Sequence, residues 1–359
     1  MKKLFLIAVA AALASGAQAG PLTATSSYNI NLGTVTAMDT SASSTASATN
    51  AANASVSAAR FDTNTGILTG VKIRAVASSA SHKLTITGEG SRNTGNRTAA
   101  GLGTGVLSVA RGSLSNTNSA TIGTLSCDTN VNSAPPACPT SQSSSGSRTA
   151  TITAASASLA DYADGANYAI DVGARATANL TQLSNFTTGS AAYELALGDV
   201  AVQVDYSYYE HADPTLSATV LDFGTVTQGQ LVDQLLLDIA NAGGLNAANL
   251  ALISIVPSGA FDAFTTDLAA FDGLAGGQSL ASHWGLDTSA TGSFEALFTL
   301  TFADSLPGGE TGIGVRTYTR TLLLRGIVEP IAVPEPGALG LLGLGLITLG
   351  LRRRQTATA

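Results

Sequence analysis

The stretch VAVQVDYSYY, residues 200–209, decides the fold class of this chain. Large apolar side chains occupy every second position of the stretch, and Gln203, Asp205 and Ser207 alternate with them. Because successive side chains of a strand point to opposite faces, this period of two predicts a strand with one apolar face. A half-buried strand of this kind is typical of a β-sandwich.

Strand patterns recur on both sides of this stretch. Before it, they lie at residues 67–76, 84–87, 149–153 and 168–172; after it, they lie at 221–226, 294–302 and 319–328. Residues 235–239 fit either a strand or a helix face, and the Asn-Ala-Gly-Gly turn that follows favours the strand. We therefore expect an all-β protein with two sandwich domains of the immunoglobulin or jelly-roll kind.

Changes in composition divide the chain into segments. His211 and Pro214 mark the expected domain boundary, because a proline follows the strongest strand and the pattern of apolar and polar residues then changes. The expected segments are a signal peptide (1–19), a low-complexity lead-in (20–60), a first sandwich with a disulfide-bearing insertion (61–210), a second sandwich (214–330) and a C-terminal segment (331–359). Residues 37–59, mostly Ala, Ser, Thr and Asn, fit a flexible lead-in or a sparsely packed edge strand.

The N-terminus has the parts of a secretory signal peptide. Lys2 and Lys3 precede the apolar residues 4–13, and Ala17 and Ala19 form the small-x-small pattern of a signal-peptidase site. Cleavage after Ala19 would make Gly20 the first mature residue. We therefore expect signal peptidase as a processing partner.

The C-terminus carries an uncharged apolar run at residues 337–351, followed by Arg352, Arg353 and Arg354. As a helix these 15 residues would cover about 22 Å, which is short of a ~30 Å hydrocarbon core. Flanking residues, thinning of the bilayer or snorkelling arginines could close the difference. A buried core helix is the alternative. The arginines favour a transmembrane helix with a cytoplasmic basic stop.

Pro334, Glu335 and Pro336 directly precede this run. The order of a Pro-Glu-Pro motif, a short apolar segment and a terminal basic cluster resembles the PEP-CTERM sorting signal of Gram-negative bacteria. The resemblance implies recognition and cleavage near the motif by a membrane-embedded exosortase, so that residues 337–351 would be a transient membrane anchor. Proline disfavours a helix in the residue before it, which would keep the motif extended and accessible.

Charge and cysteine content limit the remaining options. Charged residues make up 11% of the chain, and without the terminal lysines and arginines 12 basic residues face 24 acidic ones. Nucleic acid is therefore not an expected partner. Cys127 and Cys138 lie on either side of an Asn- and Pro-rich loop, and in an exported chain they predict a disulfide.

No motif predicts catalysis, a cofactor or a metal site. His82, His211 and His283 are isolated and fit surface or boundary positions, and the five-residue spacing of Asp262, Asp267 and Asp272 matches no calcium loop. Carboxylates are too common to exclude a glycosidase pair. Trp284 is a candidate glycan contact, with a core or rim position as the alternative.

Two further resemblances concern the domains. The Gly-Ile-Leu-Thr-Gly-Val pattern at 66–71, with the strand at 200–209, resembles the choice-of-anchor E domain. The patterns at 221–226, 235–243 and 322–326 resemble immunoglobulin-like domains of the Hydin type. The PEP-CTERM resemblance implies an association with exopolysaccharide and biofilm. Because no catalytic motif is found, we expect a non-enzymatic protein of the cell surface or extracellular matrix, with exopolysaccharide as a candidate partner. The alternatives are a carbohydrate-binding adhesin module and an anchored hydrolase.

Overall fold

The computed structural model describes residues 20–41, 47–90, 95–129, 138–331 and 336–355. Its first eight strands form one β-sandwich. They are β1 (Leu22–Asp39), β2 (Ala48–Ala58), β3 (Ile67–Glu89), β4 (Arg97–Arg111), β5 (Leu114–Thr129), β6 (Thr140–Thr153), β7 (Tyr168–Ser184) and β8 (Thr188–Tyr209). One sheet has the order β1-β8-β3-β6 and the other the order β2-β7-β4-β5, with antiparallel neighbours throughout.

The 200–209 stretch lies at the end of β8, between β1 and β3. Val200, Val202 and Val204 are fully buried, which confirms the predicted apolar face. Tyr206 continues this face into the core between the two sheets. Tyr209 is also buried, because it packs against the second domain and not into the first core.

The prediction of a lead-in over residues 20–60 is wrong, because β1 and β2 lie there. β1 pairs with β8 and β2 pairs with β7, so both are edge strands of the first sandwich. The edge-strand alternative is the correct one for the described part of 37–59. Small residues suffice here because the pairing partner supplies the apolar surface, and Val56 and Ala58 face the core.

The prediction that the cysteines lie in an insertion is also wrong, because this region belongs to the first sandwich. β5 pairs with β4, and β6 pairs with β3, so each completes one sheet of the first sandwich. Their outward positions are mostly exposed Ser, Thr and Asn. The sparse hydrophobic residues of this region therefore reflect two polar edge strands.

The second sandwich contains nine strands. They are β9 (Pro214–Leu216), β10 (Val220–Thr227), β11 (Leu235–Asn241), β12 (Asn249–Gly259), β13 (Phe264–Thr266), β14 (Phe271–Leu274), β15 (Ser279–Leu286), β16 (Gly292–Ser305) and β17 (Thr317–Glu329). The sheets have the orders β10-β17-β16-β12-β14 and β13-β15-β11-β9. The ambiguous residues 235–239 form a strand, and β10 pairs with β17 in parallel. The all-β, two-sandwich prediction is confirmed.

Short 3₁₀ helices occur at Ser156–Tyr162, Phe261–Ala263 and Pro307–Gly309, and the α-helix α1 spans Pro336–Gln355. At 1.5 Å per residue, α1 is about 30 Å long. Among the described residues, no helix combines the length and the apolar character that crossing a membrane requires.

Candidate functional site

The two sandwiches meet around His211, in the segment that connects β8 to β9. Its Nδ1 atom lies 2.8 Å from Oδ2 of Asp304 at the end of β16. Its Nε2 atom lies 2.8 Å from the backbone oxygen of Thr63, in the turn before β3. The side chain is 11% exposed. One imidazole ring therefore contacts both domains at once.

Asp304 organises the second domain's side of this junction. Its side chain is fully buried. Besides His211, it accepts hydrogen bonds from the backbone amides of Ala212 and Arg316 and from the Tyr318 hydroxyl, each at 2.9 Å. Burial and this bond to a carboxylate raise the pKa of Tyr318, so the phenol stays a donor.

Backbone and apolar contacts extend the junction. Leu68 and Ile313 exchange two backbone hydrogen bonds of 2.9 Å, which makes an isolated antiparallel bridge between the domains. Arg316 donates to Oδ1 of Asn64 at 2.7 Å. A separate buried cluster fills the space between the sandwiches, and its members are Ile67, Tyr209, Ala248 and Leu306.

Gly314 lets the loop before β17 approach the first domain this closely. It has φ of +99°, and a Cβ atom there would lie 2.8 Å from the Cβ of Thr63. A side chain would therefore be strained and would push the domains apart. The predicted boundary at 211–214 thus lies in a packed interface between the two domains.

The C-terminal segment leaves the second sandwich after β17, which ends at Glu329. Ile331 is exposed, and so are five apolar side chains of α1: Leu341, Leu342, Leu344, Leu346 and Ile347. At 100° per residue these positions surround the helix. The exposed apolar side chains of residues 341–347 therefore lie on all sides of this part of α1.

Several predicted processing residues lie outside the described residues. These are the signal peptide with Ala17 and Ala19, and Pro334 and Glu335 of the Pro-Glu-Pro motif. Pro336 begins α1, and Arg352, Arg353 and Arg354 fall in its last turn. Gly20, the predicted first mature residue, is described, and its carbonyl accepts a 2.8 Å hydrogen bond from Asn246 of the second domain.

The predicted disulfide is present. Cys127 at the end of β5 and Cys138 just before β6 are bonded, with their Cα atoms 5.9 Å apart. Cys138 also exchanges two backbone hydrogen bonds with Gly88 of β3. The bridge therefore ties the edge strands of the two sheets together.

Trp284, the candidate glycan contact, has no exposed surface. It packs edge-to-face on Phe298 with the ring centroids 4.9 Å apart, and its Nε1 donates to Oγ of Ser282 at 3.1 Å. A side chain buried in this way cannot stack on a sugar. The glycan-contact prediction is wrong, and the core alternative is correct.

The three histidines differ from one another. His283 is half exposed and its Nδ1 lies 2.9 Å from Oδ2 of Asp267, while His211 lies at the domain boundary. His82 is buried, which corrects the expected surface or boundary position, and burial together with Arg148 lowers its pKa. In the described part of the chain, no group of three or more His, Cys, Asp or Glu could hold a metal ion.

A cleft of about 320 Å³ opens on the second sandwich between β10, β16 and β17. Asp222, Phe294, Glu295 and Arg325 are among the residues that line it. Arg325 pairs with Asp222 at 2.8 Å. The Gly224 amide and the Arg325 guanidinium hold the pKa of Asp222 below its usual range. Sequence reasoning missed this cleft, because its residues are far apart along the chain.

Fold and site together define a two-sandwich β protein with a C-terminal apolar helix. Residues 332–354 match the PEP-CTERM protein-sorting motif. The chain therefore carries this sorting signal, which implies export to the cell envelope or surface and processing by an exosortase. No curated protein matches the chain. The choice-of-anchor E and Hydin-type resemblances stay predictions.

Part of the chain is similar to several solved structures. The periplasmic chaperone SfaE is 14% identical over 36% of this chain and 64% of its own, with a TM-score of 0.25. PapD-like domain 7 of human CEP192 is 11% identical over 33% of this chain and 86% of its own, with a TM-score of 0.25. The E. coli chaperone DraB is 16% identical over 35% of this chain and 58% of its own, with a TM-score of 0.22. The chain spans less than two thirds of the length of SfaE and DraB.

Proposed function

We propose that this chain is a non-catalytic protein of the cell surface or extracellular matrix that acts together with exopolysaccharide in a biofilm. The match of residues 332–354 to the sorting motif carries the proposal. Signal peptidase would release the N-terminus at Gly20. An exosortase would then act near Pro334, Glu335 and Pro336 while α1 holds the chain transiently at the membrane.

The exposed leucines of α1 support the transient-anchor step. Burying each of these side chains in lipid would contribute roughly 1.5–3 kcal/mol. After removal of the helix, the two sandwiches remain in contact through the junction around His211.

The hydrogen bonds of two histidines support a structural role. Both ring nitrogens of His211 contact protein acceptors, and Nδ1 of His283 contacts Asp267. These imidazoles are used to hold the fold together. The abundant neutral Ser, Thr and Asn side chains on the edge strands suit contact with a hydrated polysaccharide matrix.

Substitutions in the motif test the processing step. We expect Pro334→Ala and Glu335→Ala to leave the full-length chain in the membrane fraction of cells that have an exosortase. Glu329→Ala is the matched control, since it changes a nearby glutamate at the end of β17 without touching the motif, and it should be processed normally. Normal processing of both motif variants would overturn the proposal.

Carbohydrate binding is the second candidate, and the cleft at Asp222 and Arg325 favours it. Its volume suits a small ligand, and an arginine, two carboxylates and the Phe294 ring can contact hydroxyl groups and sugar faces. Retention on exopolysaccharide from the producing cells should fall in Arg325→Ala. The control Arg175→Ala, an exposed position on β7, should bind normally. Equal retention of wild type and both variants would remove this candidate.

A further inference from the structure

We propose that His211 is a proton-dependent latch that holds the two sandwiches together. Its two ring nitrogens face a carboxylate oxygen and a carbonyl oxygen, at 2.8 Å each. Both partners can only accept a hydrogen bond, since Asp304 already receives three other donors and a backbone carbonyl has no proton. Only the doubly protonated ring donates to both.

Loss of one proton from this ring would leave an unfavourable contact. The neutral ring keeps one N–H, so its other nitrogen would direct a lone pair at an oxygen 2.8 Å away. The buried carboxylate of Asp304 would also lose its positive partner, which is costly for a buried charge. The junction is therefore tight when His211 is charged and weaker when it is neutral.

The other charged and titratable groups around the ring are consistent with a cation there. They are Asp304 on β16, Arg316 just before β17, Tyr318 in β17, Asp62 and Asp164 beside the Thr63 turn, and Glu210 and Asp213 in the connecting segment. The guanidinium of Arg316 is directed to Asn64 on the first domain. Asp304 contacts His211 directly, and the other four carboxylates lie on the neighbouring segments of the chain.

The direction of the pH effect follows from linkage. A group that needs its proton in the closed state stabilises that state at low pH, and the stabilisation is lost as rising pH removes the proton. A single linked proton changes the opening equilibrium by at most about tenfold per pH unit. The device would make the protein rigid in acidic surroundings and hinged in alkaline ones.

Hydrogen exchange on the full chain tests the latch. The amides of Leu68 and Ile313 report directly, because they form the backbone bridge between the domains. After correction for intrinsic exchange, their protection should fall by up to about tenfold per pH unit as rising pH removes the proton from His211. His211→Gln should show low protection that does not change with pH. His283→Gln, which alters an exposed His–Asp pair, should behave as wild type.

Two results would overturn the latch: protection that does not vary with pH in the wild type, or an unchanged pH dependence in His211→Gln. Nitrogen NMR of the wild-type imidazole gives a check without any substitution. Both ring nitrogens of His211 should carry protons at the acidic pH where the Leu68 and Ile313 amides are most protected. A neutral ring at that pH would contradict the proposal even if the variant fails to fold.

Discussion

The hydroxyl groups of Tyr168 and Tyr206 lie 2.9 Å apart and join the two sheets of the first sandwich. Tyr206 also donates to the backbone oxygen of Ala59, so Tyr168 is the donor to Tyr206. Burial raises the pKa of both phenols, which keeps them neutral. The core thus contains a short chain of hydrogen bonds with a defined direction.

This direction predicts unequal effects of removing each hydroxyl group. Tyr168→Phe should lower the free energy of unfolding by about 0.5–1.5 kcal/mol, because one hydrogen bond is lost. Tyr206→Phe should cost more, about 1–3 kcal/mol, because the buried Tyr168 hydroxyl then lacks its acceptor. Urea denaturation measures both values. A larger loss in Tyr168→Phe would show that the direction is reversed.

The carboxylate of Asp39 should stabilise the fold by an amount that depends on pH. Burial alone would raise its pKa, but hydrogen bonds from Ser41 and from the Leu180 amide of β7 outweigh burial and lower the pKa. The folded pKa is below the unfolded one, so the stabilisation is complete above about pH 4 and disappears as the pH falls through the folded pKa.

We therefore expect Asp39→Asn to lower the free energy of unfolding by about 1–3 kcal/mol at pH 7 and by less at pH 3. Asp171→Asn, at an exposed position on β7, is the control and should change it little. Urea denaturation at several pH values makes the comparison. A constant difference between wild type and Asp39→Asn at all pH values would contradict the assignment.

The disulfide should stabilise the edge strands. Replacing Cys127 and Cys138 together by Ser should lower the free energy of unfolding by about 2–3 kcal/mol, since the bridge closes a short loop. Reduction of the wild type should produce the same shift in the denaturation midpoint, and the reductant should not affect the variant. Two free thiols in the native exported protein would contradict the bond.

Trp284 is the single tryptophan of the chain. Trp284→Ala should cost about 3–5 kcal/mol, because it leaves a cavity beside Phe298. Trp284→Phe should cost less, because a ring remains to pack there. Leu231→Ala, at a 97% exposed position, is the control. Circular dichroism follows unfolding in all variants, and an equal loss in Trp284→Ala and Leu231→Ala would contradict the burial.

The strands that carry their own apolar pattern were predictable from the sequence. The valines of β8 and the phenylalanines of β16 alternate clearly, so their faces could be assigned in advance. β2, β5 and β6 carry few apolar residues, and their strand structure depends on pairing with β7, β4 and β3. A local pattern cannot show such a pairing.

The candidate sites differ in the same way. The sorting segment is contiguous, so sequence alone identified it. The junction depends on Thr63, His211 and Asp304, which are far apart in the chain and meet only after both sandwiches have folded. The glycan-contact prediction for Trp284 was wrong because an aromatic residue beside a polar one occurs in cores as well as in sugar-binding sites.

The most direct test of the proposed export and processing is the intact mass of the protein recovered from its own cells. In cells with an exosortase, we expect a chain that begins at Gly20 and lacks Arg352, Arg353 and Arg354. Cells without the exosortase should retain these three arginines. Their presence in the mature protein of exosortase-containing cells would contradict the account.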